Sequence, residues 1–169
     1  KDGSHTRGVY GKGMSREDVI ENVETQAAVL RDIRPDFILL QEVDTDSTRS
    51  YHIDMASYFE ETFPFMGGTY ASNFHSPWLN LPMLDPIGAV NSGILTLSRF
   101  KTDYAVRRSY PIASDLSKLF DLDRCFTVER IPVEGGKTLV LVNSHASAYD
   151  EGGIIRAQQM KMLFSFMEE

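Results

Sequence analysis

Glu42 and His145 are the two residues of this 169-residue chain whose type and position suit catalysis. Each closes an apolar run. Phe37-Ile38-Leu39-Leu40 leads through Gln41 into Glu42, and Thr138-Leu139-Val140-Leu141-Val142-Asn143 leads through Ser144 into His145. A short apolar run bounded by turn signals reads as a central strand buried on both faces. Such strands deliver their last residues to the edge of a sheet, and in open α/β sheets ligands gather at that carboxyl edge. A carboxylate there can hold Mg²⁺, a hard cation that takes oxygen ligands. A histidine there can stabilise or protonate a phosphate oxygen. The plainer readings are a solvated glutamate and a structural histidine at two strand ends.

Spacing excludes several other chemistries. Ser144 and His145 are neighbours on a strand and point to opposite faces, so they cannot form a nucleophile–base pair. His5, His52 and His75 lack zinc-ligand spacing, and the single cysteine, Cys125, brings no partner. One cysteine gives no disulfide framework, and Cys125 reads as a buried thiol on a strand. Residues 1–14 are glycine-rich but carry no phosphate-binding G-x-x-x-x-G-K-[ST] pattern. Asp44 and Asp46 begin like an EF-hand loop, without its glycine or its terminal glutamate. The net charge of −7, from 17 Lys+Arg against 24 Asp+Glu, speaks against a broad surface that tracks nucleic-acid phosphates. A bound cation could still dominate the field of a local site. No apolar run is long enough to span a membrane, and no signal peptide is visible. The chain opens on Lys1 without an initiator methionine, so its true N-terminus is expected upstream and the compartment is not readable, cytoplasmic only by default.

The elements that would position Glu42 and His145 follow from pattern. Ser15 begins a capping-box-like start with Asp18 at the third helical position. Ile20, Val23, Ala27 and Leu30 then recur at helical spacing, which predicts a helix from about Arg16 to Ile33, closed by Pro35. Tyr51, Met55 and Phe59 share a second helix face ending before Pro64. Residues 69–73 read as a short strand. Residues 74–86 read as a proline-punctuated loop carrying Trp78, either a pocket cover or a packed surface loop. Ala89-Val90 and Gly93-Ile94-Leu95-Thr96-Leu97-Ser98 are a pair of strand signals around Asn91-Ser92. Residues 104–110 form a weaker strand, and 114–120 a helical turn or two. Residues 124–133 alternate as a half-buried strand, and Glu134-Gly135-Gly136-Lys137 signals a hairpin into the His145 strand. An amphipathic helix is expected from Ile154 to the end. Strands, crossing helices and a hairpin make a mixed α/β architecture, with no internal repeat and a single domain over 1–169.

The order of four motifs adds a resemblance. Pro35-Asp36-Phe37-Ile38-Leu39-Leu40-Gln41-Glu42-Val43 is followed by Asn91-Ser92-Gly93-Ile94-Leu95-Thr96-Leu97-Ser98-Arg99-Phe100. Leu139-Val140-Leu141-Val142-Asn143-Ser144-His145 comes next, then Arg156 with Gln159. The series resembles the endonuclease/exonuclease/phosphatase family, which holds DNase I-like nucleases, inositol polyphosphate 5-phosphatases and neutral sphingomyelinases. The resemblance covers nearly all of the chain from Ser15 onward. It implies a DNase I-like four-layer α/β sandwich, two mixed β-sheets face to face with helices outside. It also implies Mg²⁺-dependent (or Mn²⁺-dependent) hydrolysis of a phosphodiester or phosphomonoester. On this resemblance Glu42 is the metal-binding glutamate and His145 the histidine that contacts the scissile phosphate. Arg124 stands where some members place a phosphate-contacting arginine, or else forms a salt bridge with Asp121 or Asp123. Asn143 would reach the same phosphate pocket or simply hold the strand end. Arg156 and Gln159 would brace the last helix.

The chain also departs from the family pattern. No strand ending in asparagine precedes Ser15. The Gly-Asp-Phe-Asn and Ser-Asp-His segments, which orient water and supply the base, are missing before Glu169. The expectation is therefore a domain truncated at both ends, with exposed sheet edges open to self-association. The alternative to an enzyme is an inactive family member serving as a binding module. The acidic balance and the apolar Trp78, Leu79, Leu81 and Met83 favour a small or amphiphilic phosphoester over duplex DNA. Residues 1–169 alone are expected to show little phosphoesterase activity, because in-line attack needs an oriented water and a base as well as a metal. An assay of the chain beside its full-length parent on a generic phosphodiester with Mg²⁺ checks this. Turnover matching the parent and lost in Glu42→Ala would overturn it.

Overall fold

The computed structural model describes residues 15–79, 87–111, 123–147 and 151–168. Helix α1 (Arg16–Ile33) starts as its sequence demands: the Ser15 hydroxyl accepts from the Asp18 amide at 3.0 Å. It ends at Arg34, whose left-handed φ of 52° caps the helix just before Pro35. Strand β1 (Phe37–Asp44) follows, then a 3₁₀ turn at Thr48–Ser50 and helix α2 (Met55–Thr62), capped by Asp54. Tyr51 lies ahead of α2, so only Met55 and Phe59 of the expected aromatic face belong to that helix. Strands β2 (Gly67–Leu79), β3 (Gly88–Ser98), β4 (Tyr104–Ser109), β5 (Cys125–Val133) and β6 (Lys137–His145) come next, and α3 (Ile154–Met167) is the last described element.

The six described strands form two sheets, ordered β1-β3-β2 and β4-β5-β6. Every described pairing is antiparallel, where mixed sheets were expected. β1 and β6, expected to be central, lie at the edge of their sheets among the described residues, and β3 and β5 take the centres. That explains why β1 is only half-buried and why Leu139 and Val140 of β6 are exposed. β2 is longer than the 69–73 strand, since residues 74–79 continue it instead of opening a loop. β3 runs unbroken through Asn91-Ser92 because both of its edges are paired there. The expected features over 1–14, 80–86 and 114–120 lie outside the described residues.

Four layers result. α1 and α2 cover the first sheet through Val23, Ala27, Phe59, Ile38, Leu95 and Leu97. α3 covers the second sheet through Leu163 against Phe126, Val128 and Tyr110. Between the sheets, Ala71, Ile94 and Cys125 form a small apolar cluster, and polar groups fill much of the rest. Asn143 is the principal tie. Its amide donates to the Leu95 carbonyl at 3.1 Å, the Thr96 hydroxyl at 3.2 Å and the Leu40 carbonyl at 3.3 Å, while its oxygen accepts from Gln41 at 2.7 Å.

Two strand irregularities face one another across β3. In β1 the register jumps between Leu40 and Val43, and in β2 between Ser72 and Phe74. Both border Gly93 of β3, the β1 jump on its Leu95 side and the β2 jump on its Ser92 side. A Cβ on Gly93 would lie 2.5 Å from the Ala71 carbonyl oxygen and 2.5 Å from the Tyr70 ring, so only glycine fits there. Gly93→Ala is expected to lower stability by about 1–3 kcal/mol, the usual cost of overpacking. Urea unfolding checks this, and an unchanged midpoint would contradict it.

Candidate functional site

The two bulges re-aim the side chains that sit in them. A bulge adds a residue to one strand, bends it and redirects its side chains. Glu42 occupies the β1 bulge with φ 57°, a left-handed conformation that costs a non-glycine residue about 1–3 kcal/mol. Its carboxylate is 63% exposed and lies 3.7 Å from His145 Nε2. Asn73 occupies the β2 bulge, is 1% exposed, and its amide lies 2.8 Å from His145 Nδ1. Arg124, just ahead of β5, is 7% exposed, and its Nη1 lies 2.9 Å from Nδ1 and 3.0 Å from Nε2 of the same ring. Glu42, Asn73 and Arg124 thus converge on one imidazole from both sheets.

The strand ends around His145 are fixed from behind. Ser144 points the other way, toward Tyr110, whose hydroxyl it meets at 2.8 Å. Gln159 of α3 is fully buried and spans the turn after β6: its amide donates to the Pro111 carbonyl at 2.9 Å and the Ser147 hydroxyl at 2.8 Å, and its oxygen accepts from the Ser147 amide at 3.0 Å. Beyond Glu42, the buried Asp44 carboxylate accepts from Arg49 Nε at 2.9 Å and Nη2 at 2.8 Å. Burial works to lower the Arg49 pKa, but the Asp44 hydrogen bond and the charges of Asp44 and Glu42 outweigh it and hold it above its ordinary value. That pair pins the chain two residues past the strained position.

The site residues expected from sequence separate into two groups. Glu42, His145 and Arg124 come together. The Glu42 and His145 side chains meet directly at 3.7 Å, with the carboxylate open to solvent. Asn143 sits between the sheets at 1% exposure, with its amide donating to Leu40, Leu95 and Thr96. Gln159 braces α3 as expected. Sequence reasoning does not single out Asn73, which reads as the last residue of a short strand. Its signal is a lone amide facing inward, two residues after the small apolar Ala71. Cys125 is fully buried, and burial pushes its thiol up against the lowering influence of Arg107, which leaves it an inert core thiol.

The donor set can be tested against a divalent cation. Asp44 is committed to Arg49, and among the described residues no three His, Cys, Asp or Glu side chains gather as a metal cluster. One exposed carboxylate suits Mg²⁺, which keeps much of its water and binds through one or two carboxylates plus substrate phosphates. It does not suit zinc, which takes three or four protein ligands.

Residues 22–166 match the endonuclease/exonuclease/phosphatase family. The chain belongs to that family. Its members are typically hydrolases acting on phosphoesters. No curated protein matches the sequence. Among solved structures, the fold is similar to an endonuclease/exonuclease/phosphatase from Beutenbergia cavernae, with TM-score 0.64 and 18% identity over 85% of this chain and 38% of that one. It is also similar to the human Nocturnin catalytic domain with bound sulfate, with TM-score 0.58 and 18% identity over 95% and 53%. A double mutant of the Staphylococcus aureus beta toxin with bound magnesium ions gives TM-score 0.52 and 16% identity over 96% and 57%. The chain therefore spans roughly two fifths to three fifths of the length of these structures. Among the described residues no helix is long and apolar enough to cross a membrane.

Glu42→Gly is expected to raise stability by about 1 kcal/mol, because glycine adopts the left-handed backbone without the Cβ penalty and the exposed side chain gives up little packing. Thermal or urea unfolding checks this. A destabilised Glu42→Gly variant would show that the carboxylate, and not its neighbours, holds the bulge.

Proposed function

We propose that the protein acts, with the rest of its domain, as a divalent-metal-dependent phosphoester hydrolase at the Glu42–His145 site. The observation that supports this best is the strained, exposed Glu42 held 3.7 Å from His145, a ring also approached by the buried Arg124. Backbone strain kept by well-packed surroundings clusters at active sites and ligand clamps. Glu42 would hold Mg²⁺, which when bound neutralises phosphate oxygen charge and polarises the ester. Arg124 offers a permanently charged guanidinium, a strong and directional partner for phosphate. His145 donates to or protonates a phosphate oxygen from a ring whose position Asn73 fixes. Gln159 and Asn143 hold the two sides of that strand end. The overall charge of −7 favours a small or amphiphilic phosphoester over a long polyanion.

In the full-length protein with Mg²⁺, Glu42→Gln and His145→Ala are each expected to lower kcat/KM by about 10²–10⁴, the range for a positioned acid–base or charge-stabilising group. A generic nitrophenyl phosphodiester, a phospholipid and plasmid DNA serve as parallel substrates. Unchanged turnover in both variants would overturn the site. Efficient nicking of plasmid alone would keep the site and reverse the substrate class.

A further inference from the structure

The end of the sandwich opposite Glu42 carries a feature that phosphoester hydrolysis does not use. The run from Pro35 to Glu42 spans about 20 Å at the rise of a strand. At its Pro35 end an open cleft of about 440 Å³ is lined by Phe63, Phe65 and Met66 and rimmed by Arg31, Arg34 and Arg99. Among the described residues no carboxylate lines it. The three arginines are exposed, and none is ion-paired among the described residues. Phe65 is 92% exposed. A second cleft of about 430 Å³ shares Phe65 and Arg99 with the first and reaches Phe100, itself 49% exposed. That side is nearer neutral, since Lys101 faces Asp103 at 3.6 Å and the Glu60 carboxylate lies against Gly68.

A bland account covers part of this. Arg31, in the last turn of α1, complements the negative end of the helix dipole. It does not explain Arg34 and Arg99, which lie outside the helix, nor an apolar floor left open between three cations. The contrast with the whole chain decides the ligand's sign: a molecule of net charge −7 keeps one cleft wholly cationic.

We propose that this end is a docking site for an acidic peptide segment of a partner protein. Guanidinium forks pair with carboxylates in a bidentate geometry, which supplies direction as well as attraction. Two shallow clefts in series on either side of Phe65 suit an extended chain with an apolar side chain for each, more than one compact ligand. An exposed aromatic flanked by arginines is also the composition of an interface hot spot. An anionic membrane fits less well, because docking by this end would turn the Glu42 side away from the lipid. The site leaves the Glu42–His145 cleft open, so partner binding and hydrolysis are separable.

The test is fluorescence anisotropy with the full-length protein and a labelled dodecapeptide of alternating aspartate and phenylalanine. Two counterparts replace every aspartate by lysine or every phenylalanine by alanine. The acidic aromatic peptide is expected to bind at least ten-fold more tightly than either. The Arg31→Gln/Arg99→Gln double variant, and separately Phe65→Ser, should each weaken it ten-fold or more at an unchanged melting temperature. Equal binding of the three peptides, or undiminished binding to both variants, overturns the proposal. Phosphatidylglycerol vesicles that displace the peptide and depend on the same residues would assign the surface to a membrane and overturn it as well.

Discussion

Ser92 and Gly93 of β3 are the point on which the site geometry depends. Two strands pair with β3, and both shift register beside Gly93, β1 between Gly93 and Leu95 and β2 between Ser92 and Gly93. Backbone and ring from β2 come so close to Gly93 that no side chain can stand there. Each bulge beside it bends its strand and increases the local twist. One bulge presents Glu42, the other presents Asn73. A regular ladder would send their side chains elsewhere, because a one-residue slip moves every following side chain to the opposite face. The two strand signals on either side of Asn91-Ser92 thus belong to one strand. Gly93 marks a close contact inside that continuous strand.

The space between the sheets is organised by hydrogen bonds as much as by apolar packing. The outer layers are ordinary hydrophobic seams between helix and sheet. Between the sheets, Asn143 binds two backbone carbonyls and a threonine, and Glu129, 2% exposed, accepts from Thr102 at 2.9 Å. Its second oxygen and the Thr127 hydroxyl, two residues away on the same strand face, have no partner among the described residues. A buried polar atom left unpaired costs about 1–3 kcal/mol, so such a layer is tolerated only where specificity of sheet-on-sheet position is needed. The benefit here is register: Asn143 sits two residues before His145, and fixing one fixes the height of the other against β1.

Much of this is legible in the sequence. The α1 boundaries follow from Ser15, the apolar spacing and Pro35, all local signals. The β5–β6 hairpin follows from Gly135-Gly136 and alternation. The Glu42–His145 meeting follows from two strand ends and a motif order. The illegible parts are those decided by tertiary contact. Apolar density alone cannot tell a central strand from an edge strand that helices cover on one face, so Phe37-Ile38-Leu39-Leu40 reads as central. Nothing local in Asn73 marks a bulge, because its misalignment exists only relative to Ser92 and Gly93 on another strand. The same holds for Asn143, whose role as an inter-sheet tie depends on carbonyls of Leu40 and Leu95 that are distant in sequence.

The strained Glu42 follows from anchors on both of its sides. Before it, Leu40 is in register with Leu95; after it, Val43 is in register with Gly93 and is 3% exposed. Asp44 is then locked by two hydrogen bonds to Arg49, and the loop behind is stapled to Asn91 by the Ser47 hydroxyl, which accepts from its amide at 2.9 Å, and by the Thr45 amide, which donates to its carbonyl at 3.0 Å. A buried bidentate pair and several backbone hydrogen bonds, at about 1 kcal/mol or more each, outweigh the strain of one left-handed residue. The carboxylate therefore needs no contact of its own to keep its place. It remains 63% exposed beside His145, held by its neighbours' packing and open to solvent, which is the state in which a carboxylate can exchange water for a ligand.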